Sequence, residues 1–490
     1  MADTQVLIVG AGPVGLTMAA FLTHYGIACR IIDQDAHQTL TSNAVCVHAR
    51  TLELFEEVGL TQNLLDQGAH IKNANFFINK IKAADIDFSY IASPFPFVCD
   101  TPQSATETIL IEYLQKNNVF VERDMRFISM ETNDQGVVAQ VIQAGVEKTL
   151  SAHWLIACDG YKSTVRQFLA IPYEGAEFEY KFLMIDAPVQ GLPSLERGYF
   201  ASADGLSFFV FPMLHSVRLI VEVSSSKEWC DAQATQETFM AIFKKCLPFD
   251  ATIDQPLWSS QFYVHERRAQ VYRKDRVFLA GDAAHVHIPA AGQGMNTGMQ
   301  DAINLSWKLA LVIKHQASEA ILDSYQQERI PIADQVLALT ARMAKVMITQ
   351  NKFIAYLRKL LIKYISPYSW VQKFIVNRIA EVAVQYKNSA LNMGDGFHGI
   401  HPGMRAPLIP VQALQGKYLI LNFSENSATT FSTWPYSDLA TIYTVAKDDQ
   451  GLRTAYAGME SGYCIIRPDR YISYIGNDLQ RVVGYFKRIV

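Results

Sequence analysis

Gln5-Val6-Leu7-Ile8-Val9-Gly10-Ala11-Gly12-Pro13-Val14-Gly15 is the stretch whose reading decides the fold. Its apolar run, closed by a glycine turn, reads as a short buried strand of a parallel sheet. Pro13 to Tyr25 reads as a helix and Cys29-Arg30-Ile31-Ile32 as a second strand, so a β-α-β unit closes within the first 33 residues. The spacing G-x-G-x-x-G falls at the strand-to-helix junction, the context in which it cradles a dinucleotide. Gly10 permits the tight turn, Gly12 lets a pyrophosphate approach the backbone, and Gly15 lets the helix pack on the strand. The free N–H groups at the helix start face the phosphates. Asp33, 23 residues after Gly10, stands where an acid accepts bonds from a ribose hydroxyl pair. This motif alone does not separate FAD from NAD.

Outward from this unit the chain remains α/β. Thr51 to Val58 reads as a helix stopped by Gly59, and Thr106 to Asn117 as another. From Tyr180 to Val264 the pattern turns to β-rich alternation, clearest at Phe208-Phe209-Val210-Phe211 and Arg218-Leu219-Ile220-Val221. Val277-Phe278-Leu279-Ala280 returns to the buried-strand pattern, and residues 335 to 390 look mostly helical, broken at Pro367. Pro402 to Pro410 reads as a junction before a strand-and-helix pattern over Lys417 to Val490.

Composition sets the outer bounds. The 490 residues are about three domains' worth of chain, and half of them are hydrophobic, which excludes disorder. The net charge of −4 argues against a nucleic-acid partner. The longest apolar runs fall short of the ~18 residues of a membrane span. Asp3 and the absence of a basic n-region exclude a signal peptide at the start. Seven cysteines, odd in number and without a C-x-x-C pair, exclude a disulfide framework and a zinc site. A cytoplasmic protein is the expectation.

Two later segments point to a flavin. Leu155-Ile156-Ala157-Cys158-Asp159-Gly160, with Ser163 and Arg166, is a buried strand ending in D-G-x-x-S-x-V-R. Arg276 to His285 ends a further strand in G-D-A-A-H, and the chain runs on through Pro289 to Gly292-Gln293-Gly294-Met295-Asn296 and a helix. With Arg50-Thr51-Leu52-Glu53 and the Gln103/Glu107 pair, these motifs appear in order over nearly the whole chain. The chain resembles the group A flavoprotein aromatic hydroxylases, the superfamily of p-hydroxybenzoate and phenol hydroxylases. The resemblance implies non-covalent FAD, NADPH or NADH as co-substrate, O2, and a small aromatic substrate hydroxylated by a C4a-hydroperoxide of the flavin. It gives Asp33 the adenosine ribose, lays Gln103 along the cofactor and sets Asp282 on the ribityl chain. Asp159 and Arg166 would support FAD and the pyridine nucleotide. Gly292, Gly294, Met295 and Asn296 would present backbone to the flavin N1–C2=O edge, where a helix N-terminus stabilises an anion, and Pro289 would lie by the N5/C4a edge.

The resemblance also divides the chain. Residues 1–175 and 265–400 would form a discontinuous FAD-binding domain, 176–264 a β-rich substrate domain, and 411–490 a thioredoxin-like domain. Ile465-Ile466-Arg467-Pro468-Asp469-Arg470-Tyr471-Ile472 carries that last likeness, and Cys464, without a cysteine partner, rules out dithiol chemistry there. Phe208, Phe211 and Met213 are the candidate substrate contacts, with core packing as the equal alternative. A benzoate would want an arginine clamp, for which Arg197, Arg218 and Arg267 are the candidates. Where relatives carry an arginine, this chain has Asn43, which Arg50 or Arg30 would compensate. His285 and His287 read as flavin neighbours or structural residues rather than metal ligands, and Cys158 as a small core residue. A halogenase is disfavoured because no two tryptophans lie two apart. A non-catalytic FAD-bound regulator is the rival of a different class, and a homodimer stays open.

Overall fold

A computed structural model of the chain describes residues 2–39, 44–287, 292–348, 364–410, 416–424, 431 and 434–490. The strand Thr4–Val9 lies between Cys29–Ile32 and Val146–Ala157, parallel to both, with Leu7 opposite Arg30 and Leu155. Val277–Leu279 continues the sheet in parallel beyond Val146–Ala157, and Val121–Glu122 continues it beyond Cys29–Ile32. Val6, Leu7 and Ile8 are buried, because the helices Pro13–His24 and Gly294–Ile313 cover the sheet. The three chemistry-bearing motifs follow the C-terminal ends of three neighbouring parallel strands, the crevice where open α/β sheets bind ligands.

A second, eight-stranded sheet packs one face against Val45, Cys46 and Ala49. Tyr173–Ala187 pairs antiparallel with Trp258–Ala269 and with Val217–Glu222, and Leu206–Pro212 and Arg197–Ala203 follow. The sheet is not confined to residues 176–264. Asn73–Ile78 adds to it in parallel beside Arg197–Ala203, and Ile81–Asp87 closes the edge. Two strands from the first part of the chain thereby pair an edge that would otherwise expose its backbone. The helix Gln236–Cys246 packs on one face against Leu183, Phe208, Val210 and Leu219. The opposite face carries Met184, Phe211, Met213 and Ile220 and turns toward Val45, Cys46 and Ala49.

The last part of the chain forms a four-stranded sheet. Tyr418–Asn422 is parallel to Ala440–Thr444 and antiparallel to Tyr463–Ile466, which is antiparallel to Ile472–Gly476. The helix Leu479–Ile489 follows. This sheet shares a core with the first one: the Tyr418 ring meets Trp307 edge-on at 5.6 Å.

Candidate flavin site

At the start of the crevice the glycines act as their spacing implies. Gly10 holds φ +102°, and a Cβ there would lie 2.3 Å from the Cys158 carbonyl oxygen; a Cβ on Gly15 would lie 1.9 Å from the Gly10 oxygen. Asp33 Oδ2 accepts from the Ala11 N–H at 2.6 Å, which ties the end of the second strand to the turn. A cavity of about 240 Å³ opens here, lined by Ala11, Gly12, Asp33, Gln103, Glu107 and Arg123 among others. Gln103 Nε2 donates to Glu107 Oε1 at 2.8 Å, and burial raises the Glu107 carboxyl above its usual range.

The two arginines expected to compensate for Asn43 are engaged elsewhere. Asn43 itself lies outside the described residues. Arg50 is buried, donates to Glu53 and to the Asp469 carbonyl, and sits 4.8 Å from the Tyr471 ring centre. Arg30 is held by both oxygens of Glu122 at 2.7 Å. Neither reaches the cavity. Arg123 does, with its Nη1 3.8 Å from Asp33 Oδ1, and it follows a strand too short to be recognised from pattern.

The second and third motifs brace one another. Asp159 Oδ2 accepts from the Val165 N–H at 3.2 Å, at the start of the short helix Thr164–Phe168, while its Oδ1 is buried without a partner among the described residues. Burial raises this carboxyl. Arg166 points inward: Nη1 donates to the Ala283 carbonyl at 2.9 Å, Nη2 to the Tyr161 carbonyl at 2.7 Å, and its guanidinium stacks 3.8 Å from the Tyr173 ring centre. Arg166 therefore fixes the Asp282-Ala283 backbone, and Tyr173 Oη adds a bond to the Asp282 carbonyl at 3.0 Å. The Asp282 side chain is exposed to solvent on its open side, yet the protein crowding it from behind raises its carboxyl. Beneath it, Asp301 accepts from the Gly281 N–H at 3.0 Å and from Arg329 Nε at 2.5 Å, with His285 Nε2 at 2.7 Å. Burial alone would raise Asp301, but Arg329 and His285 hold it below the usual carboxylate range.

The far end is built on the helix Gly294–Ile313. Asn296 is fully buried: Nδ2 donates to the Cys46 and Gly292 carbonyls, and Oδ1 accepts from His48 N–H at 2.9 Å and Thr51 Oγ1 at 2.8 Å. With that side chain occupied, Gly294, Met295 and Asn296 offer the backbone N–H groups that a first helical turn leaves without acceptors. Pro289 lies outside the described residues.

The β-rich layer separates the three candidate substrate contacts between its two faces. Phe208 is fully buried against Phe239 and Phe243 on the helix-covered face, turned away from the crevice. Strand alternation puts its neighbours Phe209 and Phe211 on the other face with Met213. There Phe211 meets Phe200 at 90° and 5.7 Å. Arg218 shares this face but is closed off: Nε and Nη2 donate to the two oxygens of Asp186, and Nη1 to the Ala44 carbonyl. Arg197 likewise donates to Asn75 and Asp85.

Comparison with known proteins agrees with this geometry. Residues 3–340 match the family described as FAD binding domain. Pentachlorophenol 4-monooxygenase of Sphingobium chlorophenolicum is 36% identical over 72% of this chain and 66% of its own length. 6-Methylpretetramide 4-monooxygenase of Streptomyces rimosus is 30% identical over 96% of this chain and 90% of its own. The solved anhydrotetracycline hydroxylase OxyS from Streptomyces rimosus superposes with a TM-score of 0.80 at 26% identity, covering 99% of each chain. This chain belongs to the FAD-dependent aromatic monooxygenases.

Proposed function

We propose that the ring this monooxygenase hydroxylates is a phenolic or polyketide-type aromatic held by apolar and aromatic contacts, not by its charge. The observation that carries this is the Arg218–Asp186 pair, which removes the cation from an otherwise apolar face bearing Phe209, Phe211 and Met213. The cavity beside Asp33 and the unpartnered, buried Asp159 Oδ1 fit a bound FAD, held without a covalent link. FAD, when bound, accepts hydride from NADPH or NADH and activates O2. The chain's own part is to hold and orient. Gly10, Gly12 and the helix start Pro13–His24 receive the pyrophosphate, Asp33 the ribose, and Asp282 the ribityl hydroxyls. Gly294, Met295 and Asn296 donate N–H groups to the pyrimidine edge, where low dielectric strengthens each bond. Phe211 and Met213 place the ring and exclude water.

The division into an FAD-binding domain at 1–175 and 265–400, a substrate domain around 176–264 and a thioredoxin-like domain at 411–490 belongs to the same reading. The mixed four-stranded sheet followed by a helix supports its last part. All seven cysteines are free, which supports a reducing, cytoplasmic setting. Among the described residues no helix is long and apolar enough to cross a membrane. The net charge of −4 supports the absence of a nucleic-acid partner, and sedimentation decides between monomer and homodimer.

The test is a panel of phenols, polyketides and small aromatic carboxylates, read as stimulated NAD(P)H consumption with product mass. Strong stimulation by phenols or polyketides, with a mass gain of one oxygen, supports the reading. Stimulation by carboxylates alone overturns it.

A further inference from the structure

One face of the helix Gly294–Ile313 is a buried polar stripe: Thr297, Gln300, Asp301, Asn304 and Lys308 recur at helical spacing and all are nearly inaccessible. Along it, acids and bases are matched. Asp301 has Arg329 and His285. Glu328 has Lys308 and Arg467, and Asp469 has Arg467. Glu381 is the exception. It is 4% exposed, and its two oxygens accept from Thr297 Oγ1 at 2.8 Å and from Gln300 Nε2, both neutral donors. Arg329 acts on it through space, since that guanidinium is already engaged by Asp301, the Thr297 carbonyl and Tyr386 Oη. Asp301 faces it from the helix and opposes its ionisation.

Two further observations set Glu381 apart. Its backbone holds φ +59°, a left-handed conformation that favours glycine, so the position keeps its side chain at the expense of strain. Its hydrogen-bond partners belong to the first two turns of the helix whose opening N–H groups face the crevice, and Gln293, the residue before that helix, donates to the carbonyls of Arg378 and Ile379. The segment leading into Glu381 is thereby fastened to the helix start. Burial pushes the carboxyl up to about 7, where a modest nearby charge changes its state.

We propose that Glu381 is the proton-holding group of the flavin site: it is protonated while a negative charge occupies the N-terminus of helix Gly294–Ile313, and ionised when that position is neutral. The proposal rests on the reading above that the flavin's pyrimidine edge lies there. When hydride passes from NAD(P)H to FAD, the flavin gains one negative charge. The Glu381 carboxylate then takes one proton from solvent and becomes a neutral carboxylic acid. Re-oxidation returns the proton. The charge of flavin plus Glu381 is the same before and after, so the buried stripe behind the helix does not have to absorb a new charge. Glu381 acts on the flavin through the helix and the field, as a positioning residue for charge and not as a catalytic one.

The experiment is proton uptake on anaerobic reduction of the FAD-loaded protein by NAD(P)H, followed with an indicator dye, together with the FAD midpoint potential, both between pH 5.5 and 8.5. The flavin's own ionisation contributes in every variant, so the difference between proteins reads Glu381. Around pH 7 the wild type should take up as much as one more proton per FAD than Glu381→Gln, and its potential should fall more steeply with pH. Thr297→Val removes a bond to the ionised form and should move the extra uptake to higher pH. This second variant also serves if Glu381→Gln does not fold. Equal uptake and equal slopes in wild type and variant, with FAD stoichiometric in both, overturn this proposal and leave the flavin reading standing. Failure of the wild type to hold FAD overturns the flavin reading and this proposal with it.

Discussion

Arg218 and Asp186 stand opposite each other on neighbouring antiparallel strands and join through two parallel bonds, Nε to Oδ1 at 2.8 Å and Nη2 to Oδ2 at 2.7 Å. The guanidinium is 1% exposed and spends a third donor on the Ala44 carbonyl. A buried pair of this kind contributes little against an apolar substitute, but losing one partner strands the other charge at about 3–5 kcal/mol. Asp186→Ala should therefore lower unfolding free energy in urea by at least about 3 kcal/mol, and Asp186→Leu/Arg218→Met should recover most of it. An Asp186→Ala protein as stable as wild type would contradict the burial of this cation.

The two faces of the strand Leu206–Pro212 should answer differently to the same truncation. Phe208→Ala opens a cavity under the helix Gln236–Cys246 and should cost about 3–5 kcal/mol while hydroxylation stays coupled to NAD(P)H use. Phe211→Ala should raise KM or divert reducing equivalents to peroxide, because a loosened ring leaves reacting distance. Peroxide yield per NAD(P)H consumed separates them, and a coupled Phe211→Ala would remove that residue from the pocket.

Retention of FAD should depend on Asp282 and Arg166 by different routes. A charge-assisted hydrogen bond is worth about 1.5–3 kcal/mol, so Asp282→Ala should weaken FAD binding roughly 10- to 100-fold with little change in melting of the apoprotein. Arg166→Ala should weaken FAD binding and lower apoprotein stability together, since it frees the Ala283 and Tyr161 carbonyls. Cys464→Ser should keep both FAD and turnover, Cys464 being buried in an apolar cluster with a thiol that burial pushes far up.

Stability should fall as pH rises from about 4 to about 7. Burial pushes Asp100 and Glu381 up to about 7, from ordinary values of 3.8 and 4.5. The fold keeps both protonated where the unfolded chain has already ionised them. Their contribution is whole below the unfolded-state values and is lost as pH climbs to about 7, on the order of 3–4 kcal/mol each. Urea unfolding at pH 4.5, 5.5, 6.5 and 7.5 should show this decline, and Asp100→Asn or Glu381→Gln should flatten it. A variant that retains the full wild-type slope would show its group to be ionised throughout.

What is readable from sequence here is what is local. Gly10, Gly12, Gly15 and Asp33 lie within one β-α-β unit, so spacing alone places them. The D-G and G-D motifs are legible for the same reason, each at the end of its own strand. For Phe208 the sequence leaves substrate contact and core packing equal, because an apolar run of four gives no alternation from which to tell one face from the other. Arg50 and Arg30 look available in sequence and are not, because their partners Asp469 and Glu122 lie far along the chain. The Glu328–Arg467 pair is invisible to any window, its members standing 139 positions apart. The parallel pairing of Asn73–Ile78 with Arg197–Ala203 is hidden likewise.

The buried stripe on helix Gly294–Ile313 also sets an order of assembly. Asn304 and Glu328 are completed by Asp469 and Arg467, and Arg50 by the Asp469 carbonyl. A ribosome-bound chain that has not yet released residue 470 carries a flavin scaffold in which Asn304, Glu328 and Arg50 lack these partners, although Lys308 still faces Glu328 and Glu53 still faces Arg50. Completion of this buried stripe therefore waits for the late segment to be synthesised. A chain truncated before residue 467 would keep every cofactor motif and lose the contacts that back them from behind.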